Sequence, residues 1–173
     1  FERLVVADPE IHRMEHELGM VLKGGSGASP HSVRDVEGLL DAEGPELNPE
    51  QRAAVRNAFT FSISLMTGGA GSGKTYAVST IASAAAHLEL NVVLAAPTGK
   101  AAKRLEQVVG HEASTIHRLL GFNGHTYSRG PENPIEADIL VVDEVSMVDV
   151  PLAWRLFQAV DLKRTAVVLV GDH

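Results

Sequence analysis

Cysteine is missing from all 173 residues, so neither a disulfide scaffold nor a Cys-ligated zinc site is open to this chain. That fits a reducing cytoplasm. No apolar run approaches the roughly 20 residues needed to cross a bilayer, and the start has no signal-peptide pattern. Basic charge is in deficit: 15 Lys and Arg stand against 22 Asp and Glu, for a formal net charge of −7. A generally adhesive nucleic-acid coat is thereby excluded, and any contact with DNA or RNA has to come from a local patch. His12, His16, His87, His111 and His125 fall into no metal-ligand pattern, and no internal repeat is visible.

What is present is an ordinary globular composition, 45% hydrophobic, on a length sufficient for one sizeable core. The chain opens on Phe1 rather than Met and closes on His173 straight after a strand-like run, so both ends look cut, as in a fragment.

Residues 68–75 read Gly-Gly-Ala-Gly-Ser-Gly-Lys-Thr, a complete G-x-x-x-x-G-K-[ST] phosphate loop. Its context carries more weight than the match. Phe61 to Met66 is strand-like, and the Ala-rich stretch from Tyr76 to Leu88 is helix-like. Glycines let the backbone turn its N–H groups inward around a polyphosphate, and the following helix aims its positive end at the same anion. Gly69, Ala70, Gly71, Ser72 and Gly73 are therefore the expected cradle. Lys74 is expected to reach the β- and γ-phosphates, and the Thr75 hydroxyl to ligate Mg²⁺. The pattern predicts binding of ATP or a similar nucleoside triphosphate.

The rest reads as alternating elements. Asp8-Pro9 caps a helix over 9–22, in which Ile11, Met14, Leu18 and Val21 share a face. Residues 23–30 have the composition of a flexible Gly/Ser linker, and a short acidic helix over 32–42 ends at Gly44-Pro45. Asn48 and Pro49 start another helix. Asn91–Ala96, Ile139–Val142 and Ala166–Val170 read as buried parallel strands, and Gly99–Val108, Thr115–Leu120 and Pro151–Val160 as helices, with a loop or poorly regular hairpin over 121–136. Asp149 reads as the cap of the last helix. Such alternation predicts an α/β fold whose mostly parallel sheet is covered by helices on both faces. A helical appendage over 1–46 precedes an ATPase domain over 47–173.

Asp143-Glu144 follows a strand directly, which places both carboxylates at the sheet edge where ligands bind. Asp143 is expected to hold Mg²⁺, and Glu144 to orient and polarise the attacking water. Two adjacent acids tilt the reading from binding to hydrolysis. Gly171-Asp172 ends its strand in the same manner, and Asp172 is expected near the γ-phosphate. Pro97-Thr98-Gly99-Lys100 lies at a strand-to-helix junction, where free N–H groups, a hydroxyl and the cations Lys100, Lys103 and Arg104 can hold a single-stranded phosphate backbone.

These pieces together resemble the RecD/TraA-type DNA helicases of superfamily 1, from about Leu47 onward. Asn48 to Val55 resembles the family's Q-motif, which implies that Gln51 reads the adenine edge. Residues 68–75 match motif I, and Leu94 to Ala102 is similar to motif Ia. Ala113 to Leu120 resembles the Thr-Ile-His segment, implying that Ser114, Thr115 and His117 join Pro97, Thr98 and Lys100 in contacting DNA. Val141 to Asp149 corresponds to motif II, with Val145 where the family usually carries Ala. Val170-Gly171-Asp172 starts motif III. The resemblance implies the first RecA-like domain of a two-domain motor, moving 5′→3′ on single-stranded DNA. The arginine finger then comes from the second domain, with Arg104, Arg118 and Arg155 candidates by residue type alone, so hydrolysis by this piece is expected to be slow. A recombinase or AAA-type remodeller, a nucleotide-gated single-strand clamp and a small-molecule kinase are the rival classes.

Overall fold

The computed structural model describes residues 8–172 apart from 26, 32 and 34. Five strands form one parallel sheet in the order β1-β5-β4-β2-β3. They are β1 (Ile63–Thr67), β2 (Val92–Ala96), β3 (Ala113–Thr115), β4 (Ile139–Val142) and β5 (Ala166–Gly171). The helices are α1 (Pro9–Gly24), α2 (Val36–Glu43), α3 (Pro49–Thr60), α4 (Lys74–His87), α5 (Gly99–Val109), α6 (Ile116–Leu119) and α7 (Val150–Gln158). The expected α/β architecture with a covered parallel sheet is the one observed.

β4 shows why the sheet is central. All four of its side chains are buried, with Ile139 and Val141 packing into one core and Leu140 and Val142 into the other. The first core joins them to Phe59 of α3, Ile81 of α4 and Leu105 of α5. The second is closed by Ile116 of α6 and by Leu152 and Leu156 of α7. A strand buried on both faces has no polar alternation to display, and its near-uniform apolar run follows from that.

Helix starts follow their caps. Asp8, Asn48 and Asp149 each accept a backbone N–H of their own first turn, with Pro in that turn. The structure moves some boundaries. Phe61 caps the C-terminus of α3 instead of starting the strand, and α2 begins at Val36 rather than 32. Ser26, Ser32 and Arg34, within the expected linker and short helix, lie outside the described residues. Ala113–Thr115 is a strand, paired to β2, where no strand was expected before α6. A 3₁₀ turn at Val145–Met147 also follows the twin acids.

The segment expected as a flexible linker is tied down instead. Lys23 and Gly24 finish α1, while Gly25 and Gly27 carbonyls accept from the Ile63 and Ser62 amides at 3.1 and 2.9 Å. Ser29 N donates to Thr60 O at 2.8 Å, and Ser62 Oγ to Ala28 O at 2.7 Å. This stretch therefore runs beside the entry to β1, an edge strand, and satisfies backbone groups that the sheet leaves open there. α1 itself rests on α7, where Trp154 Nε1 donates to Glu17 at 2.7 Å and the Arg13 guanidinium lies 5.9 Å from the indole centroid. Leu39 and Leu40 of α2 enter the first core, and Arg52 and Arg56 of α3 both pair with Glu37. Those two guanidinium groups, Arg56 first, hold the Glu37 carboxyl below the usual carboxylate range.

Candidate nucleotide site and nucleic-acid rim

The 68–73 loop leaves β1 at the C-terminal rim of the sheet and delivers the chain into α4 through Gly73, whose φ of +80° is a left-handed conformation suited to glycine. A Cβ there would also collide with Gln51 Nε2. Gly69 and Gly71 face open space, with nothing within 4 Å of a built Cβ. That is the geometry of a cradle with one open side.

Lys74 Nζ donates to the Gly68 carbonyl and, at 3.0 Å, to the Gly69 carbonyl. It also lies 2.6 Å from Asp172 Oδ1. The loop lysine and the tip of β5 are thus joined directly. Asp143 projects from the end of β4, two strands from β1, with β5 between them. A cavity of about 260 Å³ brings together Lys74, Asp143 and Glu144, the expected catalytic residues, Thr75, expected with Asp143 on the metal, and Asp172, expected near the γ-phosphate. Arg104 of α5 lines it too. By residue type alone Arg104 could not be told from Arg118 or Arg155; the helical offset that carries it from the Pro-Thr-Gly-Lys junction back over the sheet rim was the available signal. Arg118 instead is exposed on α6, and Arg155 stacks on aromatic rings.

Burial raises the Asp143 carboxyl above the usual range, against the pull of the Glu144 amide, Lys74 and Arg104, with Asp172 adding to the rise. Asp143 Oδ1 accepts from Glu144 N at 2.9 Å. Glu144 itself sits at φ 54°, ψ 39°, left-handed for a non-glycine residue. Such a conformation costs about 1–3 kcal/mol and turns the chain sharply into the 3₁₀ segment. Gly171 opposes this turn: a Cβ on it would lie 2.8 Å from Val145 Cγ1.

Gln51 faces a neighbouring cavity of about 360 Å³, shared with Asn48, Asn57 and Lys74. Its amide already spans two elements. Oε1 accepts from Asn48 N at 3.0 Å, completing a capping box, and Nε2 donates to Ser72 O at 3.0 Å. One N–H and one lone pair are left over for a base.

Along the same rim, β2 and β3 pair so that Ala96 faces Thr115. Each strand leads into a helix capped by a threonine. Thr98 Oγ1 accepts from Ala101 N at 3.2 Å, and Thr115 Oγ1 from Arg118 N at 3.1 Å. Both hydroxyl protons remain available to a phosphate. Lys100 is exposed, whereas Pro97 and Ser114 are half-buried, the Ser114 hydroxyl lying 3.4 Å from the Thr115 carbonyl. The His117 ring packs edge-on against Phe122, with centroids 5.5 Å apart, and stacks at 6.2 Å on Tyr127. The six expected nucleic-acid residues therefore lie along adjacent strand ends, with His117 held among aromatics.

A glycine cradle between strand and helix, with a lysine, a threonine and three acids around one cavity, defines a phosphate-loop domain. A protein-family profile described as an AAA domain matches residues 51–173. The chain is 41% identical over 126 residues to the ATP-dependent RecD2 DNA helicase of Deinococcus radiodurans, covering 73% of this chain and 18% of that protein. It is 37% identical over 195 aligned positions to the RecBCD enzyme subunit RecD of Mycobacterium tuberculosis, covering 99% of this chain and 33% of that one. A solved structure of Bacteroides sp Pif1 in complex with ADP-AlF4 is 24% identical, with a TM-score of 0.46, over 73% of this chain and 32% of the other. The chain belongs to the AAA-domain family, as a RecD-like motor domain of the superfamily 1 helicase type. It spans between 18% and 33% of the length of these two RecD-type relatives.

Proposed function

We propose that this chain is the ATP-hydrolysing first motor domain of a DNA helicase, coupling hydrolysis to movement on single-stranded DNA and to separation of a duplex. The observation that carries the reading is the convergence of Lys74, Thr75, Asp143, Glu144 and Asp172 on one cavity, with the Thr98 and Thr115 caps on the same sheet rim. Residues 47–173 hold every residue of the proposed sites and are read as the motor domain, with 1–46 read as an appendage whose α1 and α2 pack against it. Movement in the 5′→3′ direction, a second RecA-like domain supplying an arginine finger, and a cytoplasmic setting are part of the same proposal.

The donor set fits Mg·ATP. Mg²⁺ favours oxygen ligands and is commonly held by one or two protein oxygens plus phosphates and water, which a Thr75 hydroxyl and an Asp143 carboxylate on one cavity can provide. When bound, the metal neutralises charge developing on the phosphates. The chain's own residues do the rest. Backbone amides of the Gly69–Gly73 loop orient the phosphates, with Ser72 N leaving the Gly69 carbonyl it bonds at 3.2 Å, and Lys74 exchanges its loop carbonyls and Asp172 for phosphate oxygens. Glu144 takes a proton from the attacking water as its oxygen bonds to the γ-phosphorus; the bond from that phosphorus to the β,γ-bridging oxygen breaks, ADP leaves with the electron pair, and Asp172 stays beside the γ-phosphate. Gln51 contacts the base with its remaining N–H. Lys100, Thr98, Thr115 and Ser114 hold DNA phosphates, with Pro97 and His117 shaping the track.

The test is ATPase rate with and without single-stranded DNA, on this chain and on the longer protein containing it. Stimulation in the longer protein, abolished by Lys74→Ala and by Glu144→Gln, is expected, with slow turnover in the shorter chain. Glu144→Gln should keep Mg·ATP binding. A rate that DNA leaves unchanged in the longer protein, but that Lys74→Ala abolishes, would leave a plain ATPase and sink the helicase reading.

A further inference from the structure

Resting on that reading of the rim, we propose that Phe122, backed by Tyr127, is a stacking platform for a base of the single strand. The sequence pattern places these residues in a loop or poorly regular hairpin. The structure gives them fixed positions. Phe122 N donates to His117 O at 2.9 Å and the two ring centroids are 5.5 Å apart, which holds the Phe122 ring beside α6, the helix that Thr115 caps. The intervening turn depends on Gly121, at φ +65°, where a Cβ would collide with the Ser128 side chain. The amides of Ser128 and Arg129 both donate to Leu120 O, at 3.2 and 3.1 Å, which folds Tyr127 back against Phe122.

The rings form a supported series. Phe122 and Tyr127 centroids are 4.7 Å apart at 31°. The Arg155 guanidinium lies 5.6 Å from the Tyr127 ring and 4.9 Å from the Trp154 ring. Tyr127 packs onto the second core, and its ring is held by neighbours. Phe122 ends the series and is 39% exposed. A purely structural ring would bury its area in the core; this one leaves part of it exposed against His117, on the helix that Thr115 caps.

Charge selects the occupant. The chain as a whole carries −7, yet Arg118 is exposed on α6 itself, and Lys100 and Lys103 are exposed in the first turns of α5, which follows β2, the strand paired to β3. Glu106, the one acid of α5, accepts from Ala113 N at 3.1 Å. Cations for the backbone beside an aromatic face for the base are the two components that single-strand binders combine, and stacking tolerates any sequence because every base has a π-face.

The experiment measures single-stranded oligonucleotide affinity by fluorescence anisotropy, for this chain and its Phe122→Ala, Phe122→Leu, Phe122→Tyr and Lys100→Ala variants. Folding is checked by thermal melting. A single abasic site is stepped along the oligonucleotide. Phe122→Ala and Phe122→Leu should weaken binding roughly 5- to 100-fold, while Phe122→Tyr stays near the parent. One abasic position should weaken the parent by a similar factor and leave Phe122→Leu unaffected, because base and ring are then already uncoupled. The salt slope should fall in Lys100→Ala and stay unchanged in the Phe122 variants. If Lys100→Ala weakens binding but Phe122→Leu, still folded, does not, the platform is wrong and the rim stands. If every abasic effect adds to the Phe122→Leu effect, the platform is equally wrong. No binding of any oligonucleotide by the parent would remove the DNA track itself, and the platform with it.

Discussion

Asp172 Oδ1 holds the Lys74 ammonium at 2.6 Å, so the tip of β5 and the end of the phosphate loop are electrostatically latched. The lysine is mostly buried, at 16% side-chain exposure, and its other hydrogen bonds go to carbonyls of its own loop. A triphosphate that recruits Lys74 has to compete with that carboxylate. Asp172→Asn should therefore tighten ATP binding by about 2- to 5-fold, the worth of a partly exposed ion pair, while slowing turnover. Calorimetric titration with Mg·ATP beside a steady-state assay checks both halves. Weaker binding would mean that Asp172 serves the nucleotide directly.

Gln51 ties the first turn of α3 to Ser72 O, which makes it a strut of the loop as well as a candidate base reader. Replacing it with Ala removes a cap contact and a loop contact, at about 1 kcal/mol each. Binding of ATP and of inorganic tripolyphosphate should weaken together. Loss confined to ATP would assign Gln51 to base reading alone.

The close approach of Gly171 to Val145 predicts a rescue. Gly171→Ala would set a methyl 2.8 Å from Val145 Cγ1 and push the turn that carries Asp143 and Glu144. The single variant should lose about 1–3 kcal/mol and most Mg·ATP affinity. Adding Val145→Ala removes the opposing methyl and should restore a large part of both. Denaturant midpoints for the two singles and the double give the coupling energy, and additive values would rule the contact out as the cause.

The raised Asp143 carboxyl gives a pH signature. Its folded-state value lies above the ordinary one, so ionisation works against the fold once pH exceeds that raised value, and the cost vanishes below the ordinary carboxylate range. Asp143→Asn keeps an oxygen to accept the Glu144 amide and removes the buried charge. Its thermal midpoint should exceed the parent's at pH 7, with the gain fading as pH falls through that window, even as Mg·ATP binding is lost. Equal midpoints at pH 7 would show that Lys74 and Arg104 already offset the burial.

Elements defined by local chemistry could be read directly. Asp8-Pro9, Asn48-Pro49 and Asp149 with Pro151 mark helix starts because cap and proline act within one turn, and β4 is legible because both its faces are buried. The phosphate loop and the twin acids are likewise contiguous signals. What escaped depends on partners distant in sequence. Ala113–Thr115 is short, half-buried and not especially apolar, and only its pairing with β2 makes it a strand. The Gly/Ser stretch near residue 27 looked loose because its binding groups are backbone carbonyls and a backbone amide, which composition does not report. Arg104 became a site residue only once α5 was laid across the rim.

The insertion of β5 between β1 and β4 has a metric consequence. Two inter-strand spacings, about 9.5 Å, separate the strand that delivers the phosphate loop from the strand that delivers the acids. Direct pairing of those outer two would halve the gap and leave no seat for a side chain between them. The middle seat belongs to Asp172, so a sub-ångström slide of β5 along its neighbours would alter its grip on Lys74 and its repulsion of Asp143 in a single stroke.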